Sequence, residues 1–118
     1  MTHKIKVTKQ IEVSDENIDD IVCDAFEGGI TYWCDNVEVV GKYLGEYASD
    51  QISRGGKLML HDFEEDKEYE LTLEKFLNGY KLAVEDGIFN GDTDGDEYDG
   101  GVADCIIQYA IFGEIVYG

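Results

Sequence analysis

Residues 14–40 read SDENIDDIVCDAFEGGITYWCDNVEVV, and two different periods follow one another within them. Ile18, Ile21, Val22 and Ala25 fall at i, i+3, i+4 and i+7, which is one stripe of a helix. Ser14 precedes the stripe as an N-cap, and Asp15 and Glu16 occupy the first turn, where the helix dipole favours anions. The pattern predicts a helix over residues 15–27. Gly28-Gly29 ends it, with one glycine expected in the left-handed position that closes a helix. From Ile30 to Val40 the residues become aromatic and β-branched, which predicts a strand bent at Asp35-Asn36.

The same reasoning extends to both sides. Residues 3–13 (HKIKVTKQIEV) alternate, with Ile5, Val7, Ile11 and Val13 apolar, and predict a strand with a slip near Lys9. Residues 41–56 read as a polar loop with one short helical turn. Lys57–Phe63 and Tyr69–Leu71 read as strands joined around Glu65-Asp66-Lys67. Thr72 caps a second helix striped by Leu73, Phe76, Leu77, Tyr80 and Val84 and closed at Asp86-Gly87. A polar loop from Asn90 to Gly101 leads to a third helix carrying Val102, Cys105, Ile106 and Tyr109; Gly113 then releases a final short strand, Glu114 to Tyr117. The expected architecture is α+β, a single domain of three amphipathic helices packed on a small, mostly antiparallel sheet.

The chain has 118 residues, 9 Lys plus Arg against 27 Asp plus Glu, and a net charge of −18. Hydrophobic residues at 43% suffice for a core and exclude global disorder. No apolar run approaches the ~18 residues of a membrane span, and Met1-Thr2-His3-Lys4-Ile5 lacks a signal-peptide core, so a cytoplasmic protein is expected. Cys23, Cys34 and Cys105 are odd in number and without CxxC spacing, which argues against a disulfide framework or zinc ribbon. Cys23 and Cys105 fall on apolar helix faces as small buried hydrophobes.

The acidic residues are clustered. Seven lie between Glu12 and Glu27, seven between Asp62 and Glu74 with only Lys67 among them, and eight between Glu85 and Asp104. Eighteen charges correspond to ~31 Å of DNA duplex at one charge per ~1.7 Å. A globule of this length is roughly 35 Å across, so the protein matches DNA in charge per length. Such a chain does not bind nucleic acid by neutralising phosphates, but it suits a protein that does. Asp15, Glu16, Asp19, Asp20, Asp24 and Glu27 cover the polar side of the first helix, where i, i+4 neighbours stand ~5–6 Å apart, and Glu64, Glu65 and Asp66 add a second patch.

Three further patterns compete. Asn90, Asp92, Asp94 and Asp96 match the first half of an EF-hand loop, with Gly95 at the turn position, but Gly101 stands where the bidentate Glu belongs. An acidic turn without metal is the plainer reading, and a weak calcium site the alternative; no other cofactor is implied. Gly28 and Gly29 before Tyr32 and Trp33 form either a turn into a core strand or a stacking surface for a small ligand. Arg54 and Lys57, flanking Gly55-Gly56, would meet the phosphate of such a ligand. His61-Asp62 lacks the additional histidines of a metal phosphohydrolase, and no P-loop, GxGxxG or HExxH motif appears, so no enzyme is expected.

The runs AFEGGITYWC (residues 25–34) and ADCIIQYAIFGEIVYG (residues 103–118) resemble segments of small acidic proteins encoded by bacteriophages and prophages, where EGG-x-x-YW and QYA-x-FG recur. The resemblance implies a phage accessory protein in the host bacterial cytosol, a setting in which countering host defence is a common role. It implies no catalytic residue. The expected function is therefore a DNA mimic that inhibits a host nucleic-acid-binding effector, such as a CRISPR or restriction enzyme, through its basic surface. A nucleotide sponge and a homo-oligomeric structural or regulatory phage protein are the alternatives.

Overall fold

The computed structural model describes residues 1–8 and 10–118. Its helices are α1 (Asp15–Asp24), α2 (Leu73–Glu85) and α3 (Gly100–Phe112), and its strands β1 (Cys34–Val40), β2 (Lys57–Asp62) and β3 (Lys67–Leu71). The strands form one antiparallel sheet in the order β1-β2-β3. The architecture is α+β, as the sequence predicts. Among the described residues no helix is long and apolar enough to cross a membrane.

The caps expected at Ser14 and Thr72 form, and Asp99, within the expected loop, caps α3 as well. Ser14 Oγ accepts from Asn17 N at 3.1 Å, Thr72 Oγ1 from Lys75 N at 3.2 Å and Asp99 Oδ1 from Val102 N at 3.0 Å. Each such cap contributes ~1 kcal/mol by satisfying an otherwise orphaned amide. Gly113 ends α3 at φ +77°, in the left-handed region that glycine enters without cost.

The α1 exit differs from expectation. Residues Ala25–Gly29 form a wide π-type turn, closed by Ile30 N donating to Ala25 O at 3.0 Å, and neither Gly28 nor Gly29 is left-handed. Gly29 is required for another reason: a Cβ there would lie 2.7 Å from the Gly100 carbonyl oxygen, so only glycine lets this turn abut the start of α3. The chain then turns through residues 31–33, and the strand begins only at Cys34.

The expected first and last strands are absent. The described residues of 3–13 form no strand and pair with no other; Lys9, the expected slip, lies outside the described residues. Residues 114–117 are also no strand. Val116 N and Tyr117 N instead donate to Gln108 Oε1, each at 2.9 Å, so a side-chain amide replaces a neighbouring strand.

The core gathers Ile18, Ile21 and Val22 of α1, Leu58 and Leu60 of β2, Phe76 and Ala83 of α2, and Ile106 and Ile107 of α3 around Trp33. α3 departs from the one-faced pattern: eight of its residues, Asp104 and Gln108 included, are buried, because it is packed by α2, the 25–29 turn and β3 together. Cys23 and Cys105 are half-buried and Cys34 is buried; all three are free thiols. Their pKa values are raised, chiefly by burial.

α2 and α3 cross at Gly79, where a Cβ would sit 2.5 Å from the Ile106 carbonyl oxygen and 2.6 Å from Ala110 N. Gly79→Ala gains helix propensity but forces this crossing apart, and a net loss of about 1–3 kcal/mol is expected in urea unfolding. Gly100→Ala, which meets open space, is the control and should leave stability unchanged or raise it by up to about 1 kcal/mol.

Candidate functional site

The polar side of α1 is an acidic face. Asp15, Glu16, Asp20, Asp24 and Glu27 are exposed. Asp19 is half-buried, accepts from Ser53 Oγ at 2.6 Å, and faces Arg54 Nη1 at 3.9 Å. The loop after α2 closes onto this face, since Tyr98 Oη donates to Asp24 Oδ2 at 2.7 Å across 74 residues of sequence. Burial and then this bond push the Tyr98 phenol well above its ordinary pKa. Asp20, Asp24 and Asp94 border a shallow groove of about 330 Å³ between helix and loop. The first and third acidic clusters thus share a surface.

Glu64, Glu65 and Asp66 sit apart on the β2–β3 turn. Asp62 builds that turn: buried, it accepts from Glu64 N at 2.9 Å and Tyr117 Oη at 2.7 Å. Asp66 adopts φ +54°, a left-handed conformation that Asp tolerates better than most residues. His61 lies between two carboxylates, with Nδ1 2.6 Å from Asp35 Oδ1 and Nε2 2.8 Å from Asp66 Oδ1. Both ring nitrogens therefore donate, as only an imidazolium can.

The alternative sites are not assembled. Trp33 is 0% exposed, packed against Phe112 and stacked on Tyr117 at 5.7 Å, so it presents no face to a ligand. Arg54 lies beside Asp19, and nine residues, ~13 Å of helical rise, separate Asp19 from Gly28. Lys57 begins β2, and no side-chain hydrogen bond or ion pair among the described residues links it to the Gly28–Gly29 turn. In the 90–101 loop, Asn90 Oδ1 and Asp92 Oδ1 accept from Asp92 N and Asp94 N, the pattern of successive Asx turns. Asp94 borders the α1 groove, while Asp96 is exposed. Among the described residues no group of three His, Cys, Asp or Glu is arranged to hold a metal ion.

Sequence reasoning missed the polar centre of the molecule. Asp104, 7% exposed, accepts from Tyr32 Oη at 2.5 Å, Trp33 Nε1 at 2.8 Å and Gln108 Nε2 at 2.9 Å. Burial, then the bond to Asp104, raises the Tyr32 pKa. The available signal was an Asp and a Gln at i, i+4 inside an otherwise apolar helix. Gln51 holds the 41–56 loop in the same manner, accepting from Leu44 N and donating to Tyr47 O, each at 2.6 Å.

Comparison with known proteins finds no matching family model and no significant match among curated proteins or solved structures. The geometry defines a small α+β protein with an acidic helix-and-loop face and a polar centre built around the buried Asp104.

Two outcomes test this account. Asp104→Ala strands the buried Trp33 N–H and removes the acceptor of Tyr32 Oη, and should cost about 2–3 kcal/mol, read by denaturant unfolding. The hydrogen bonds to Asp35 and Asp66 lift the His61 pKa from 6.5 to about 9. Because the folded value is the higher one, the resulting stabilisation is complete below pH ~6.5 and is lost as pH rises through about 9. An NMR titration of His61 should show that midpoint, and His61→Gln should flatten the fall in stability across that window.

Proposed function

We propose that the protein is a non-enzymatic acidic decoy, a DNA mimic whose α1 face occupies the basic channel of a host nucleic-acid-handling effector such as a CRISPR or restriction enzyme. The supporting observation is the Tyr98–Asp24 bond, which seats the 90–101 loop beside α1 and joins the two acidic stretches that contain no Lys or Arg. α1 is 10 residues long, ~15 Å, and its exposed carboxylates recur at ~5–6 Å, a repeat suited to a row of phosphate contacts. A field of this sign steers a cationic partner into place and repels nucleic acid itself. The resemblance to phage-encoded acidic proteins supplies the setting, the cytosol of a bacterial host.

The test is capture of partners from host lysate on tagged protein, at about 50 mM salt with release by about 500 mM. A DNA- or RNA-handling enzyme should be recovered, and duplex DNA should compete for it. The triple variant Glu16→Gln, Asp20→Asn, Glu27→Gln keeps the fold, since these side chains are exposed and leave the Tyr98–Asp24 bond intact, and should slow association at least tenfold. Binding that is indifferent to salt and to these substitutions overturns the proposal.

A further inference from the structure

The segment preceding α1 is the part of the chain least used by its own fold. Its base is anchored: Ile11 packs so closely over Gly91 that a Cβ there would lie 2.6 Å from Ile11 Cδ1. With Thr8 and Val13, Ile11 borders a groove on α2 beside Leu77, Tyr80 and Val84. Beyond that anchor lies an arm without secondary structure, in which Ile5 is 87% and Val7 73% exposed. These two alternate with Lys4 and Lys6. Apolar and basic residues alternating at period two make a strand with one face to bury and one to ionise, and here it has no sheet.

The sheet offers a complementary edge. β3 is guarded, because Lys75 Nζ donates to the Glu70 carbonyl at 2.8 Å. β1, the other outer strand, contains no lysine, and past its irregularity at Cys34–Asn36 it runs in regular register from Val37 to Val40. An edge without such guards invites another strand. Val37 and Val39 are half-buried on its core-facing side, and Phe26, Ile30 and Val37 border a groove of about 230 Å³ there. Glu38, exposed, stands on the opposite side of the strand.

We propose that the arm of one copy adds to the outer edge of β1 in a second copy, and reciprocally, to form a two-fold dimer of four-stranded sheets. The pairing sets Ile5 and Val7 beside Val37 and Val39, and Lys4 and Lys6 beside Glu38. Main-chain bonds supply the affinity, and the alternating side chains the register. The second copy is favoured over the arm's own sheet by where the arm starts. It leaves from α2, which packs chiefly on α3, and α3 in turn meets the sheet at β3, the margin away from β1. The arm also brings cations to the joint between two bodies that each carry −18, where some local neutralisation is needed for contact. This inference uses a different surface from α1 and stands or falls separately from the decoy reading.

Light scattering on the full chain across a concentration series tests it. The mass should rise toward twice 13.3 kDa. Removing residues 1–7, which leaves the Thr8, Ile11 and Val13 anchor in place, or Ile5→Asp with Val7→Asp, should leave a folded monomer, since Ile5 and Val7 are exposed. Lys6→Glu and Glu38→Lys should each weaken the dimer roughly three- to tenfold, and their combination should restore it. A chain that stays monomeric at every concentration overturns the proposal, as does a dimer that survives loss of the arm.

Discussion

The buried carboxylate of Asp104 is the constraint on which the rest of the structure depends. A carboxylate taken out of water needs its lone pairs satisfied, and here three uncharged donors do so, from Tyr32, Trp33 and Gln108. Those bonds fix the turn after α1 against α3. Gln108, oriented by Asp104, then holds residues 116–117: Oε1 accepts from the Val116 and Tyr117 amides, and the same Nε2 donates to the Tyr117 carbonyl. Tyr117, so placed, stacks on Trp33 and reaches Asp62, which shapes the β2–β3 turn. One polar pair on α3 thus organises both the entry to β1 and the end of the chain.

A scarcity of cations explains why tyrosine carries so much of this structure. With 27 carboxylates and 9 Lys plus Arg, most aspartates have no cation available. Tyr32, Tyr98, Tyr109 and Tyr117 donate instead to Asp104, Asp24, Asp86 and Asp62. A phenol brings a donor and a large apolar ring without altering net charge. Its own ionisation is suppressed in return: the bond to Asp86, with burial, carries Tyr109 to about 12. Surface charge can therefore stay high while long-range contacts still form. The three Lys or Arg ion pairs among the described residues lie at or near the surface and contribute little by comparison.

Several elements were legible because their causes are local. Ser14, Thr72 and Gly113 act through bonds spanning a few residues, and the apolar stripes of α1 and α2 are one-dimensional patterns. The acidic α1 face was legible on the same ground. The two expected terminal strands failed because alternation shows a capacity for pairing without supplying a partner. Ile5 and Val7 alternate correctly yet meet no strand. Residues 114–117 found a glutamine side chain.

The sequence by itself determined the fold class, the helix caps, the β2–β3 hairpin and the acidic character, all of which follow from neighbours in the chain. Only the tertiary structure decided that Trp33 is enclosed, that Gly29 and Gly79 serve close approach, that Asp104 points inward, and that the 90–101 loop joins α1 while the 64–66 turn stands apart. These depend on contacts between residues 27 to 84 positions apart, from Gly79–Ile106 to Trp33–Tyr117. Such contacts are set by the packing of whole elements, which no local period encodes.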